Sequence, residues 1–204
     1  MASPYDFENC LRTIERKGKE LYGEHFRIHQ EDHELISKLL AYILKDEGIC
    51  MKNDISLKKG ILLTGPVGCG KTTLMTLIRF FQSGDNRYIV KSCRDVNFEF
   101  IQEGYSVIMK YGKQAFNQDK PKMYCFDDLG TENNLKYFGN ECSVMTEILL
   151  SRYDMFVSGQ MITHITTNLN SSEIESIYGI RVRSRMREMF NLVSFGKDAK
   201  DKRL

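Results

Sequence analysis

The chain has 204 residues, of which 42% are hydrophobic and 27% charged, and its formal net charge is +2. That length suits one α/β domain with an extension, large enough to bury a core without disulfides or metals, and a multi-domain machine is not expected. The near-neutral balance excludes a global basic field for nucleic acid, and six scattered cysteines (Cys10, Cys50, Cys69, Cys93, Cys125, Cys142), with no C-x-x-C pair and no nearby histidines at ligand spacing, indicate neither a zinc site nor a disulfide framework.

Residues Met1 to Glu8 include Asp6 and Glu8 and lack the apolar core of a signal peptide. No later segment approaches the ~18 consecutive apolar residues of a membrane span. A soluble cytoplasmic protein with reduced thiols and no membrane partner is expected. From Asp6 to about Lys45, charged residues with Leu35, Ile36, Leu39, Leu40 and Ile43 at helical spacing predict one or two helices, interrupted by a loop at Tyr22 to Phe26. The polar connector Lys52-Asn53-Asp54 sets a boundary: a helical N-terminal extension over 1–54 and a core over 55–204.

Beyond it the pattern alternates. Strands are predicted at Ile61 to Thr64, Arg87 to Lys91, Met123 to Phe126, Met161 to Thr167 and Asn191 to Phe195. Helices are predicted at Lys71 to Gln82, Arg94 to Tyr111 and Ser143 to Phe156, and one more runs to about Phe190 from the capping sequence Asn170-Ser171-Ser172-Glu173. Alternating strands and helices imply an α/β fold with a mainly parallel sheet covered on both faces.

The run Gly65-Pro66-Val67-Gly68-Cys69-Gly70-Lys71-Thr72 fits the template G-x-x-x-x-G-K-[ST] at every fixed position, between a strand and a helix. Glycines let backbone amides turn inward onto a phosphate tail, and the next helix adds its positive end. Lys71 would reach the β- and γ-phosphates of a nucleoside triphosphate and the Thr72 hydroxyl would hold Mg²⁺. An ordinary glycine-rich turn is the competing reading, and the strand-then-helix context counts against it.

Asp127 and Asp128 follow the strand Met123 to Phe126, where one carboxylate can hold Mg²⁺ and a second can polarise the attacking water. Asp127 is assigned to the metal and Asp128 to the water, against the plainer reading of a polar turn. Asn168, at the tip of the fourth strand, is a candidate phosphate sensor or simply the start of a turn. In Arg181-Val182-Arg183-Ser184-Arg185-Met186-Arg187, Arg181 and Arg185 share one helical face and Arg183 and Arg187 another. These residues alone leave open an arginine finger for a neighbouring subunit's nucleotide, a solvated basic face or a nucleic-acid contact.

In order, Gly65 to Thr73, Phe126-Asp127-Asp128-Leu129-Gly130, Ile165-Thr166-Thr167-Asn168-Leu169 and Tyr178-Gly179-Ile180-Arg181-Val182-Arg183-Ser184-Arg185 resemble the AAA+ ATPases of the DnaC and IstB type, which are helicase loaders and transposition helpers. The resemblance covers about Gly60 to Phe195. It implies a P-loop NTPase fold with a mainly parallel five-stranded sheet sandwiched by helices. It also implies ATP on Gly65 to Thr73, Mg²⁺ at Thr72 and Asp127, a catalytic acid at Asp128 and a first sensor at Asn168. Arg185, with Arg181 next, would act as a finger across a subunit boundary in a homo-oligomer formed on ATP binding. DNA and a DNA-bound helicase or transposase are the implied partners. The chain stops soon after the last strand, so an AAA+ core without a lid domain is expected, and the N-terminal segment is shorter than a loader's helicase-binding domain. By analogy Tyr22 to Ile28 would contact adenine, with plain packing of Phe26 and Ile28 as the alternative.

The expected activity is hydrolysis of ATP to ADP and phosphate, coupled to loading or remodelling a DNA-bound partner. A small-molecule or nucleoside kinase is the runner-up, but it would need an arginine-rich lid, whereas Arg94 and Arg152 stand isolated and Asn168 has no kinase purpose. A nucleotide switch without hydrolysis is the third class. Lys197, Lys200, Lys202 and Arg203 in the tail offer a DNA contact diluted by Asp198 and Asp201, or a solvated tail.

Overall fold

The computed structural model describes residues 5–132, 135–137, 140–159 and 161–202. The N-terminal part forms α1 (Phe7–Tyr22), α2 (His33–Ile43) and α3 (Glu47–Lys52). Asp6 caps α1 by accepting the Asn9 amide at 3.1 Å, and Asp46 caps α3 by accepting that of Ile49 at 3.0 Å. The core then runs β1 (Gly60–Thr64), α4 (Lys71–Ile78), β2 (Ile89–Ser92), α5 (Cys93–Glu103), α6 (Ser106–Tyr111), β3 (Phe116–Asn117), β4 (Lys120–Pro121) and β5 (Tyr124–Leu129). It continues with β6 (Leu135–Tyr137), β7 (Asn140–Cys142), α7 (Val144–Gly159), β8 (Thr163–Thr167), α8 (Ser171–Met189) and β9 (Phe190–Ser194).

Among the described residues the main sheet has five strands in the order β2-β5-β8-β1-β9, every neighbouring pair parallel. This is the α/β arrangement with a parallel sheet expected from the alternating pattern. Successive residues of β1 point to opposite faces: Ile61 and Leu63 join a core with Ile14, Leu39, Leu40 and Met75 from α1, α2 and α4, while Leu62 joins Val96, Phe100, Phe126, Ile148 and Ile165 under α5 to α8. Each fully buried aliphatic side chain contributes about 1.5–3 kcal/mol. Because the strands are parallel, the carboxyl ends of β1, β5 and β8 emerge on one edge.

Several boundaries differ from expectation. The single helix expected over Arg94 to Tyr111 is two, because Gly104 turns to a φ of 64° and its amide closes α5 on the Phe100 carbonyl at 2.8 Å. The helix expected to reach Gln82 leaves α geometry after Ile78 and tightens into a 3-10 turn over Arg79–Phe81. The fourth strand starts at Thr163 rather than Met161, and α8 kinks at Gly179. The capping sequence behaves as expected: Asn170 accepts the Ser172 and Glu173 amides, and Glu173 reaches back to the Asn170 amide at 2.7 Å.

The central strand β8 is polar in sequence and wholly buried, so every polar group needs a partner. The Thr163 hydroxyl accepts Arg152 Nε at 2.6 Å, and His164 Nδ1 accepts the Ile61 amide at 3.1 Å. Arg152, fully buried on α7, also donates to the carbonyls of Tyr111 (2.9 Å), Lys122 (3.1 Å) and Ile162 (3.0 Å). Its guanidinium lies 5.4 Å from the Tyr124 ring centre, and burial pushes its pKa down to about 9. The arginine that stood isolated in the sequence pins α6, α7, β8 and the approach to β5.

Candidate phosphate-binding site

The loop Gly65 to Gly70 joins β1 to α4, the strand-to-helix junction its template requires. Gly68 (φ 81°) and Gly70 (φ 99°) hold left-handed backbone that a β-carbon would strain, and Gly70 hands the chain to α4. Lys71 is buried, and its ammonium donates to the Gly65 carbonyl at 2.9 Å and the Pro66 carbonyl at 2.8 Å, so its charge is held inside the loop.

Next to this loop stands the acidic end of β5. Asp127 is only 6% exposed; its Oδ1 accepts the Thr166 hydroxyl at 2.6 Å, and the Thr72 side chain lies close enough to favour its charged form. Burial pushes the Asp127 pKa up and the neighbouring Asp128 adds to this, while Thr166, Thr72 and Lys71 oppose it. The pairing of β5 with β8 shifts register between Phe126 and Leu129, and Asp128 sits at φ 55°, a left-handed conformation that costs of order 1–3 kcal/mol outside glycine. That conformation is fixed from three sides. The Asp128 amide donates to Thr166 Oγ1 at 2.9 Å, its carbonyl accepts the Thr131 hydroxyl at 2.8 Å, and Thr167 Oγ1 donates to the Leu129 carbonyl at 2.6 Å.

A cleft of about 790 Å³ is lined by Gly68 to Thr73, Asp128, Thr131 and Asn168. Its other wall is the segment Tyr22 to Asp32, where the Tyr22 and Phe26 rings lie 5.9 Å apart. The structure thus brings together Lys71, Thr72, Thr73, Asp127, Asp128 and Asn168. It does not bring Arg181 or Arg185 to the cleft: Arg181 is exposed on α8, and Arg185 lies over the Tyr153 ring at 4.6 Å with Asp154 Oδ1 at 3.9 Å. Hard oxygens at Thr72, which lines the cleft, and at the buried Asp127 are a donor set that suits Mg²⁺. Among the described residues no cluster of three or more His, Cys, Asp or Glu side chains could hold a metal alone, and no helix is long and apolar enough to cross a membrane.

Sequence reasoning missed three participants. Thr166 was read as strand, although it links both aspartates; a hydroxyl pair in a strand buried on both faces was the available signal. Glu132 accepts the Gly130 amide at 2.9 Å and hydrogen-bonds Tyr178 OH, tying the loop after β5 to α8. Lys202, read as part of a basic tail, folds onto the phosphate loop and pairs with Asp32. Arg203, grouped with it, lies outside the described residues.

These elements form an α/β fold in which a parallel five-stranded sheet, flanked by helices, carries a glycine-rich loop at the end of β1. Solved structures similar to this chain include the DnaC helicase loader (16% identity, TM-score 0.56, covering 85% of this chain and 95% of that one) and DnaI (16%, 0.53, covering 93% and 94%). AMPPCP-bound DnaA from Aquifex aeolicus is similar over 87% of this chain and 50% of its own, at 17% identity and a TM-score of 0.53. At such identities the likeness establishes the fold. No protein-family profile and no curated protein matches the sequence.

Proposed function

We propose that this chain is a Mg²⁺-dependent ATPase of the DnaC- and IstB-like kind, which assembles on ATP binding and acts on a DNA-bound partner. The observation that carries the reading is the union, on one sheet edge, of a glycine loop enclosing Lys71 with the Thr72–Asp127 contact and with Asp128 and Asn168 on the same cleft. The loop amides and Lys71 hold the phosphates, and Thr72 and Asp127 hold the metal, which supplies charge neutralisation on the phosphate oxygens. Asp128, fixed by its three backbone and hydroxyl contacts, orients the attacking water and accepts its proton, while Asn168 touches the γ-phosphate. Residues 1–54 form an extension to the core 55–204; Tyr22 to Ile28 on the cleft's far wall take the adenine ring.

Arg181 and Arg185 lie away from their own chain's cleft, as an arginine serving a second subunit would. ATPase assays on mixed variants test the reading. Lys71→Ala is inactive, Asp128→Asn binds ATP without turnover, and Arg185→Ala regains activity when mixed with Lys71→Ala. Unchanged turnover in Lys71→Ala refutes the loop assignment. Binding without turnover in the wild-type chain, even with DNA and at high concentration, marks a nucleotide switch. Growth in mass with a non-hydrolysable ATP analogue favours the assembling ATPase, and its absence the kinase.

A further inference from the structure

The segment after β9 does not leave the fold. The Phe195 amide extends the sheet edge onto the Thr64 carbonyl at 2.9 Å, Ala199 N–H turns back on the Gly196 carbonyl at 3.1 Å, and Lys202 N–H donates to the Gly68 carbonyl at 3.0 Å. A β-carbon added to Gly68 would stand 2.2 Å from Asp201 Oδ1, so the Asp201 carboxylate lies directly on the phosphate loop and Gly68 is buried beneath it. Lys202 completes the attachment: its ammonium pairs with Asp32, in the N-terminal wall, and sits 5.1 Å from the Phe195 ring centre. Gly68 to Thr73 and Lys200 to Lys202 line the same cleft.

We propose that residues 196–202 form a strap over the phosphate loop, and that a nucleoside triphosphate must displace it. This rests on the nucleotide reading above. The physical conflict is one of charge and volume: a polyanion entering the loop meets a carboxylate already placed against Gly68. The Lys202 ammonium is directed to Asp32 in the N-terminal wall. The Lys202 amide, the Lys202–Asp32 pair and the packing of Ala199 against the core attach the strap, a local contact set of the kind that ligand binding opens. Loop and strap are therefore linked reciprocally: whatever loosens the strap raises nucleotide affinity, and nucleotide releases the strap.

The test is a fluorescence titration with the N-methylanthraniloyl derivative of ATP plus Mg²⁺, on the whole chain and on Asp201→Ala and Lys202→Ala. Asp201→Ala binds about tenfold tighter and Lys202→Ala, freed from Asp32, about fivefold tighter. Hydrogen exchange at the Lys202 amide, slow in the free chain, becomes faster when the same nucleotide saturates the wild type. Equal affinities across the three proteins, weaker binding by Asp201→Ala, or a Lys202 amide more protected with nucleotide than without overturns the strap. Absence of binding by all three folded proteins overturns the nucleotide reading itself, an outcome distinct from binding that is equal in all.

Discussion

His164 gives the chain a calculable sensitivity to acid. Its imidazole is 1% exposed, with ring centres of Tyr42 at 5.7 Å and Tyr88 at 4.7 Å, and its Nδ1 is committed to the Ile61 amide that joins β8 to β1. Burial first, and the Arg152 guanidinium second, pull its pKa down to about 3. In the unfolded chain the same group titrates near ~6.5. A depressed folded value means that the neutral imidazole's stabilisation is complete above ~6.5 and is lost as pH falls toward the folded value, because the unfolded state takes a proton that the folded state refuses. At ~1.4 kcal/mol per pH unit, the loss integrates to ~2 kcal/mol between pH 7 and pH 5. His164→Asn keeps an acceptor for the Ile61 amide and does not titrate. Urea unfolding at pH 7, 6 and 5 should therefore show the wild type's advantage over the variant shrinking by ~2 kcal/mol. Asp127, whose raised pKa has the opposite sign, titrates in both proteins and cancels in the comparison. Parallel stability curves across that range refute the reasoning.

Three further outcomes are expected. Asp127→Asn removes a buried charge whose pKa is raised, so folding is stabilised at neutral pH and Tm rises, while Mg²⁺-dependent turnover is lost; a lower Tm measured by calorimetry contradicts this. Thr166→Val deletes the hydroxyl linking Asp127 to the Asp128 amide and should lower ATPase activity by about 10–100-fold with ATP still bound; undiminished steady-state turnover shows the link to be dispensable. Arg152→Met strands three carbonyls and the Thr163 hydroxyl in the core, costing ~3–5 kcal/mol; a urea midpoint equal to wild type refutes it.

What the amino-acid order alone determined is local and repetitive: the alternation of apolar runs and helical faces, the cap at Asn170, and the glycine octapeptide between a strand and a helix. These are short-range signals, since backbone conformation at Gly68 and Gly70 and side-chain periodicity in β1 and α4 are set by neighbours a few residues away. The gathering of Lys71, Asp127, Asp128 and Asn168 was foreseeable because parallel strands deliver their carboxyl ends to one edge. Tertiary structure alone decided the remainder. Thr166 acquires its place between two aspartates from the β5–β8 register shift, Arg152 its burial from carbonyls contributed by three separate segments, and Lys202 its hold on Asp32 from a chain reversal across 170 positions. Hydrogen bonds between residues so far apart in sequence leave no periodic trace, because what selects those side chains is an unpaired polar group that exists only once the chain has folded around it.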